Sequence, residues 1–402
     1  MRLNLTKVRI WLLKAIILSL PFGGIPLTPL PYTQLVLVLI YVYLAVFALD
    51  QLKRGGHFTL SPIAMLPLAM WAVFALSTVI NEMPGASSAD SLIRQILFYA
   101  VFLIPAIPDA RRIYASGDSP LKYLVAATLL MALAFVAEHG LVFEADRRLS
   151  LEYINANVFA MYSVISFFII LDAKISRTTA HIPGKLKPYL LPFAIVLFSF
   201  VGLSGSRGGI VIAAIAGIAY FTMHRRLSIK VLPMFLSSAF ALVLGIVSLM
   251  TQDFMSDRLS EIGQDIRITE IWPAGMEIFL SHPIIGAGFS KSEVLISEAL
   301  GRDIALHNEF LKIATAGGVA AIVLFSLFSL ALVRRAFVYR NVSGSPLFIV
   351  LMLSLLLYLA KGGGALQFPF VWVIFATVGA LPLFGKKQRA SIRKTDLGSA
   401  LQ

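Results

Sequence analysis

The chain contains no cysteine, and Asp, Glu, Lys and Arg together make up only 14% of its 402 residues. The first absence excludes disulfide staples, thiolate nucleophiles and Cys-ligated zinc or iron–sulfur centres, so segments outside the core are held by packing alone. The second sets the chain apart from soluble domains, in which about a quarter of residues are charged. Acidic residues are the scarcer kind: 21 Asp and Glu stand against 34 Lys and Arg, a net charge of +13. That excess points to nucleic acid only if it clusters on one surface. What the chain has in abundance is apolar, with 58% hydrophobic residues and a mean hydropathy of +0.85. The composition predicts an all-α polytopic membrane protein.

A bilayer core is crossed by about 20 apolar residues of helix. Runs near that length lie at about 10–29, 32–50, 60–80, 92–108, 120–141, 154–172, 188–204, 209–223, 231–251, 306–333, 346–360 and 365–384. They predict 12 transmembrane helices in a single membrane domain, residues 1–402. The basic N-terminal segment and first run lead into PFGGIPLTPLP rather than a small-residue cleavage site, so the first run reads as an uncleaved span. With the N-terminus in the cytoplasm, most of the 34 basic residues fall on the inner side, Arg9, Arg54, Arg111, Arg112, Arg335 and Arg340 among them. The positive-inside rule then places both termini in the cytoplasm. The charge excess is thereby explained as topology, through anchors and lipid-headgroup contacts, and not as nucleic-acid affinity.

On the outer side the loops are short, except for Thr251 to Ala305 between the ninth and tenth runs. In that stretch Ile268, Ile271, Trp272, Met276, Ile278 and Phe279 fall at helical spacing, as do Val294, Leu295, Ile296 and Leu300. Two amphipathic helices are expected, forming a cap over residues 251–305, with Pro273 near the start of the first or at a kink.

The cations left outside are Arg94, Arg147, Arg148, Arg207, Arg258, Arg267, Lys291, Arg302, Lys312 and Lys361. Arg94 falls in the first turn of the fourth run and Lys312 more than a turn into the tenth. Charges at such depth normally face a bundle interior or an aqueous cavity. Two readings stand: local helix pairs, Asp90 with Arg94 and Glu309 with Lys312, or convergence on one anion, for which arginines suit a diphosphate through bidentate hydrogen bonds.

Residues 202–214 read GLSGSRGGIVIAA. The glycines allow a tight turn, Ser204 or Ser206 can cap the next helix, and Arg207 projects at the helix N-terminus, an anion cradle or a headgroup contact. His307 opens the tenth run in ALHNEFLKIATAGG. There the helix dipole and nearby cations disfavour the imidazolium, leaving a neutral ring able to accept a proton; a plain polar cap is the alternative. His282 lies in the turn-like SHPIIGAG. Asp303, His307 and Glu309 lie close in sequence without a second ligand cluster, so neither a metal nor a cofactor is expected.

Together, LSGSRGG, then R-x-x-x-I-W from Arg267 and SHPIIGAGF at 281–289 in a long outer loop, then HNEFLKIATAGG, resemble the O-antigen ligase and O-antigen polymerase superfamily, in detail over about residues 200–330. The resemblance implies an inverting GT-C-type glycosyltransferase of a bacterial inner membrane. Its donor would be a glycan on undecaprenyl diphosphate at the periplasmic face. A ligase passes that glycan to a sugar hydroxyl of lipid A–core, and a polymerase passes it to another lipid-linked repeat. By motif, Arg207 and Arg267 would bind the diphosphate and His307 would take the acceptor proton; depth and topology add Arg94 and Lys312 as further diphosphate contacts. A single large outer loop is more like the ligases. A third reading, a transporter or flippase of anionic lipids, predicts pseudo-symmetric halves with ionisable residues at the bilayer midplane, and the sequence shows neither.

Overall fold

Inside a bilayer every backbone N–H and C=O must be satisfied by the chain itself, which is why apolar runs of this length fold as helices. The computed structural model describes residues 4–22, 35–56, 60–81, 89–139, 156–175, 184–204, 206–224, 266–302, 304–362 and 365–382. These residues are helical, without a strand. They form α1 (Leu5–Ser19), α2 (Leu35–Lys53), α3 (Pro62–Asn81), α4 (Ala89–Ala115), α5 (Pro120–His139), α6 (Ala156–Ile175), α7 (Leu190–Leu203), α8 (Arg207–Met223), α9 (Trp272–Ser281), α10 (Phe289–Leu300), α11 (Glu309–Ser343), α12 (Leu347–Lys361) and α13 (Pro369–Gly379). The expected ninth run, 231–251, lies outside the described residues, as do Arg147, Arg148, Arg258 and residues 251–265 of the outer loop. Each other apolar run contains a helix, and α2, α3, α5, α6 and α11 are long and apolar enough to cross a membrane. The described residues are therefore those of a helical membrane-embedded protein.

At the centre stands α6, buried at every residue from Val158 to Ala173 and packed against α5, α7, α8 and α12. Outward-facing side chains are large and apolar, as at Val79, Leu133 and Ile218, the pattern of a surface that meets hydrocarbon.

At one end of the bundle lies Arg9, which is not the exposed anchor expected of it. It is 2% exposed. Its guanidinium donates to Asp109 through Nε at 3.0 Å and Nη2 at 2.8 Å, and through Nη1 to Asp50 at 2.9 Å. Tyr43 Oη adds a 2.9 Å bond to Asp109, and Arg112 also donates to it. α1, α2 and α4 are thus tied by a buried charge network, because a desolvated arginine is tolerated only with its donors matched. Replacing the charge while keeping the shape, Asp109→Asn, should cost about 3–5 kcal/mol, the scale of removing one partner from a buried ion pair. Thermal unfolding in detergent reads this directly, and an unchanged midpoint would contradict it. At the same end Arg335 donates to the carbonyls of Gly379 and Leu381, and Arg340 to that of Met223, so these cations cap helix C-termini.

The tenth run is not one continuous helix. Gly318 sits inside α11 at φ 64° and ψ −163°, and the ladder breaks there. The segment 283–288 docks into the break: Ala287 N–H donates to the Thr315 carbonyl at 2.8 Å and Gly288 N–H to Ala316 at 3.2 Å. In return Val319 N–H donates to the Pro283 carbonyl at 2.8 Å and Ala320 N–H to Ile284 at 3.3 Å. The broken turn is satisfied by another segment, as irregular backbone at membrane depth requires.

Candidate functional site

The cavity lies at the bundle end opposite the Arg9 network, where α6 and α8 begin and α7 and α12 end. Ser206 is the N-cap of α8, of the two serines offered by the sequence: its hydroxyl accepts from Gly209 N–H at 3.1 Å and donates to Asn157 Oδ1 at 2.7 Å. That second bond ties the start of α8 to the first turn of α6. A Cβ at Gly209 would come within 2.7 Å of Ala160 Cβ, so the glycine sets the close approach of the two helices. Arg207, the first residue of α8, is thereby held where the helix N–H groups point.

Arg267 opens a single π-helical turn, Arg267–Ile271, closed by Trp272 N–H on the Arg267 carbonyl. Pro273 follows and supplies no N–H to continue an ordinary ladder at that point. Wide single turns of this kind recur at functional sites. α9 and α10 are the two amphipathic helices expected of the outer loop, and with the start of α11 they build a separate apolar cluster of Ile271, Ile278, Ala287, Ile296, Leu306 and Leu311. Trp272 Nε1 donates to the Leu306 carbonyl at 3.1 Å, which fixes the Arg267 turn against the residue before His307.

His307 does not open the helix itself. α11 begins at Glu309, and Asn308 is its N-cap, accepting from Leu311 N–H at 3.1 Å. His307 stands one position earlier at φ 49°, the one non-glycine at positive φ among the described residues. Left-handed backbone at such a residue is strain that the surroundings must impose, and it clusters at functional sites.

These three residues meet. Arg207, Arg267 and His307 line one cavity of about 290 Å³, with Asn157, Ser206, Gly208, Tyr358, Lys361 and Phe368 among its other walls. Among the described residues that line it, none is acidic. Glu309 lies buried in the first turn of α11, near Tyr358.

Of the other two predicted diphosphate contacts, only Lys312 can be placed relative to this group. Lys312 does not line the cavity; it is 8% exposed, its ammonium lies 2.6 Å from Glu293 Oε1 and 4.8 Å from the Phe289 ring centre, and the expected partner Glu309 is replaced by Glu293 across the α10–α11 contact. Burial is the reason, since an ammonium at that depth needs a counter-ion held by packing, and α10 carries one there. Arg94 is on α4, with its side chain outside the described residues. His282 is also away from the cavity, its Nδ1 2.9 Å from Ser281 Oγ beyond the end of α9. Among the described residues no group of three or more His, Asp or Glu is placed to hold a metal.

Sequence reasoning noticed Lys361 only as one outward cation among ten and gave no signal for Asn157, Tyr358 or Phe368. Their convergence depends on how α6, α12 and the start of α13 pack.

No match to a curated protein was found. Residues 192–326, which include most of α7, α8, Arg267, His307 and the broken turn of α11, match the family model described as O-antigen ligase, a match that supports the O-antigen ligase and polymerase superfamily.

Proposed function

We propose that this protein is an O-antigen ligase of a bacterial inner membrane, a metal-independent, inverting GT-C-type glycosyltransferase of 12 spans with both termini in the cytoplasm and its cavity open to the periplasm. The observation that carries the reading is the meeting of Arg207, Arg267 and His307, brought from three separate stretches of chain, in one cavity without an acidic wall residue among those described. Residues 251–305 serve as the periplasmic cap that delivers Arg267. The cavity is at the small end of ligand pockets, which hold about 300–1,000 Å³. It suits the diphosphate and the reacting sugar, with the lipid and the rest of the glycan outside.

In this reading the donor is a glycan on undecaprenyl diphosphate and the acceptor a sugar hydroxyl of lipid A–core. The acceptor oxygen attacks the anomeric carbon from the face opposite the diphosphate. The anomeric C–O bond breaks, its electron pair leaves with the diphosphate, and the acceptor proton passes to the His307 imidazole. Because the leaving group is already activated, catalysis needs charge stabilisation more than a donated proton, and arginines aimed at the developing charge supply it. Paired carboxylates of the glycosidase kind are not needed. Lys312, neutralised by Glu293 outside the cavity, has no part in this site.

Arg207→Ala and Arg267→Ala are each expected to lower turnover by about 10²–10³-fold, the effect of removing one preorganised donor from a developing oxyanion. Lysine at either position should restore only part of it, since a point charge cannot make the bidentate contact. Full turnover in either alanine variant would break the assignment. The function itself is tested by reconstituting the purified protein with undecaprenyl-diphosphate glycan, with and without lipid A–core, and separating the products on a gel. Transfer that requires lipid A–core is the expected result. Lengthening of the lipid-linked glycan without that acceptor would instead identify a polymerase, and no covalent product in either condition would favour a transporter.

A further inference from the structure

We propose that α9 and the segment that follows it, residues 282–286, are seated in the lipid leaflet at the cavity end of the bundle, with their exposed apolar edge covered by acyl chains, while α10 stands in water. The inference concerns how the cap meets the membrane and holds for any reaction at the cavity. α9 has three edges. Ala274, Gly275 and Ile278 are buried. Glu277 and Ser281, four residues apart, are exposed and polar, and just before the helix the exposed Glu270 pairs with Arg302. Met276 and Leu280, also four apart, are exposed and apolar, Leu280 at 65%, and Ile284 follows at 74%. A contiguous row of this kind marks a surface that something apolar covers.

α11 supplies the identity of the cover. Its exposed residues Val319, Val323, Leu327 and Leu330 recur every three or four positions on a helix long and apolar enough to cross a membrane, so this stripe faces lipid. Val319 N–H and Ala320 N–H donate to the carbonyls of Pro283 and Ile284, which brings the apolar edge of α9 to the head of that stripe. Between Lys312 and Arg334, residues 313–333 carry no charge. They measure about 31 Å of helix, matching a hydrocarbon core of about 30 Å, and Val319 lies about 9 Å inside the cavity end. Helices lying in a membrane interface bury their apolar face by about 5–10 Å, the same depth.

The backbone of the segment agrees with that depth. The carbonyls of His282, Pro283, Ile284 and Gly286 accept from Gly286 N–H, Val319 N–H, Ala320 N–H and Asn81 Nδ2, at 2.8 to 3.3 Å, while the N–H groups of Ala287 and Gly288 donate into α11. A loop in water can leave such groups to solvent, whereas non-helical backbone in hydrocarbon must be paired by protein. α10 lacks the pattern. Exposed Glu298 stands four residues after exposed Val294, and exposed Arg302 lies just past the helix end, a mixed face suited to water.

The chain has no cysteine, so a nitroxide label attaches only where a cysteine is introduced. Full-length protein carrying Leu280→Cys, Ile284→Cys, Met276→Cys, Glu277→Cys, Glu298→Cys or Val323→Cys singly is labelled and reconstituted in vesicles of phosphatidylethanolamine and phosphatidylglycerol. Collisions of the label with oxygen, which concentrates in hydrocarbon, are compared with those of a water-soluble nickel chelate. Val323 is the lipid reference and Glu298 the water reference. Labels at Leu280 and Ile284 are expected to favour oxygen severalfold, as at Val323, and the label at Glu277 to favour the chelate, as at Glu298. Water-like behaviour at Leu280 and Ile284 would overturn the proposal and put the whole cap outside the bilayer. Labels there that are shielded from both reagents would overturn it too, since the face would then be covered by protein, and spin–spin broadening would identify a second copy as the cover. If Leu280→Cys or Ile284→Cys does not fold, Met276→Cys on the same edge decides between the same outcomes.

Discussion

His307→Ala is expected to lose glycan transfer by about 10²–10⁴-fold, the contribution of a positioned general base, while still binding the lipid-linked donor. The loss should appear in kcat, because the base acts on the acceptor proton and the donor diphosphate is held by other residues. His307 stands at φ 49°, so alanine there carries a backbone cost as well as a chemical one. A left-handed residue with a Cβ costs roughly 1–2 kcal/mol. Glycine carries no such cost, and His307→Gly separates the two effects: it should fold at least as well as the alanine variant and be just as inactive. Asparagine, which tolerates the same backbone region, should also be inactive. Normal transfer by any well-folded variant without the imidazole would remove His307 as the base.

The largest effect on folding is expected at Gly318 and Gly286. A Cβ on Gly318 would overlap the Ile284 carbonyl and Gly286 N, and one on Gly286, itself at φ 75°, would overlap the backbone of Ala316 and Gly317. Backbone cannot swing aside as a side chain does. φ 64° with ψ −163° is also a region that only glycine occupies, at a strain of about 1–3 kcal/mol for other residues. Separating the two segments would further loosen the four hydrogen bonds across the break, each worth about 0.5–1.5 kcal/mol net. The sum is on the order of 5 kcal/mol, comparable with the whole stability of many domains at about 5–15 kcal/mol. Gly318→Ala and Gly286→Ala should therefore fail to give monodisperse protein, or should unfold at a far lower temperature. Gly301, at φ 63° but in open space, is the control. Gly301→Asn should stay within about 1 kcal/mol of the parent, since asparagine tolerates that conformation. If Gly318→Ala were as stable as Gly301→Asn, the stitched break would not be structurally required.

The break also bears on the site. Segment 283–288 follows α9, whose preceding turn carries Arg267, and it is bonded to α11, which begins two residues after His307. With the Trp272 bond to Leu306, it holds the arginine and the histidine in one rigid unit. A change at Gly286 should therefore disturb both contacts at once, even in protein that remains folded.

Much of this was legible in the sequence, and the reason is local. Helices in hydrocarbon satisfy their own backbone, so run length and apolarity predict them residue by residue; α3, α5 and α6 begin and end within about three residues of their expected bounds. Ser206, Arg207 and the following glycines carry a capping pattern that works over four residues, and α8 begins there. The amphipathic spacing around Trp272 likewise gave α9.

The sequence could also name Arg207, Arg267 and His307, because each lies in a short motif. It could not choose among the outward cations, since a lysine paired with a glutamate across a helix contact and one that lines a cavity look alike along the chain. Packing separated them: α10 brings Glu293 to Lys312, whereas α12 carries Lys361 across the bare Cα of Gly208. Arg9 became a buried tie rather than an anchor in the same way, because Asp50 and Asp109 come from other helices. The glycines of SHPIIGAG and ATAGG read as turn and helix punctuation until the two segments meet. Helix, cap and hydropathy are decided within a few residues and were set by the sequence alone. Ion pairing, the stitched break and the walls of the cavity depend on groups distant along the chain, and only the tertiary structure decides which of them are within reach.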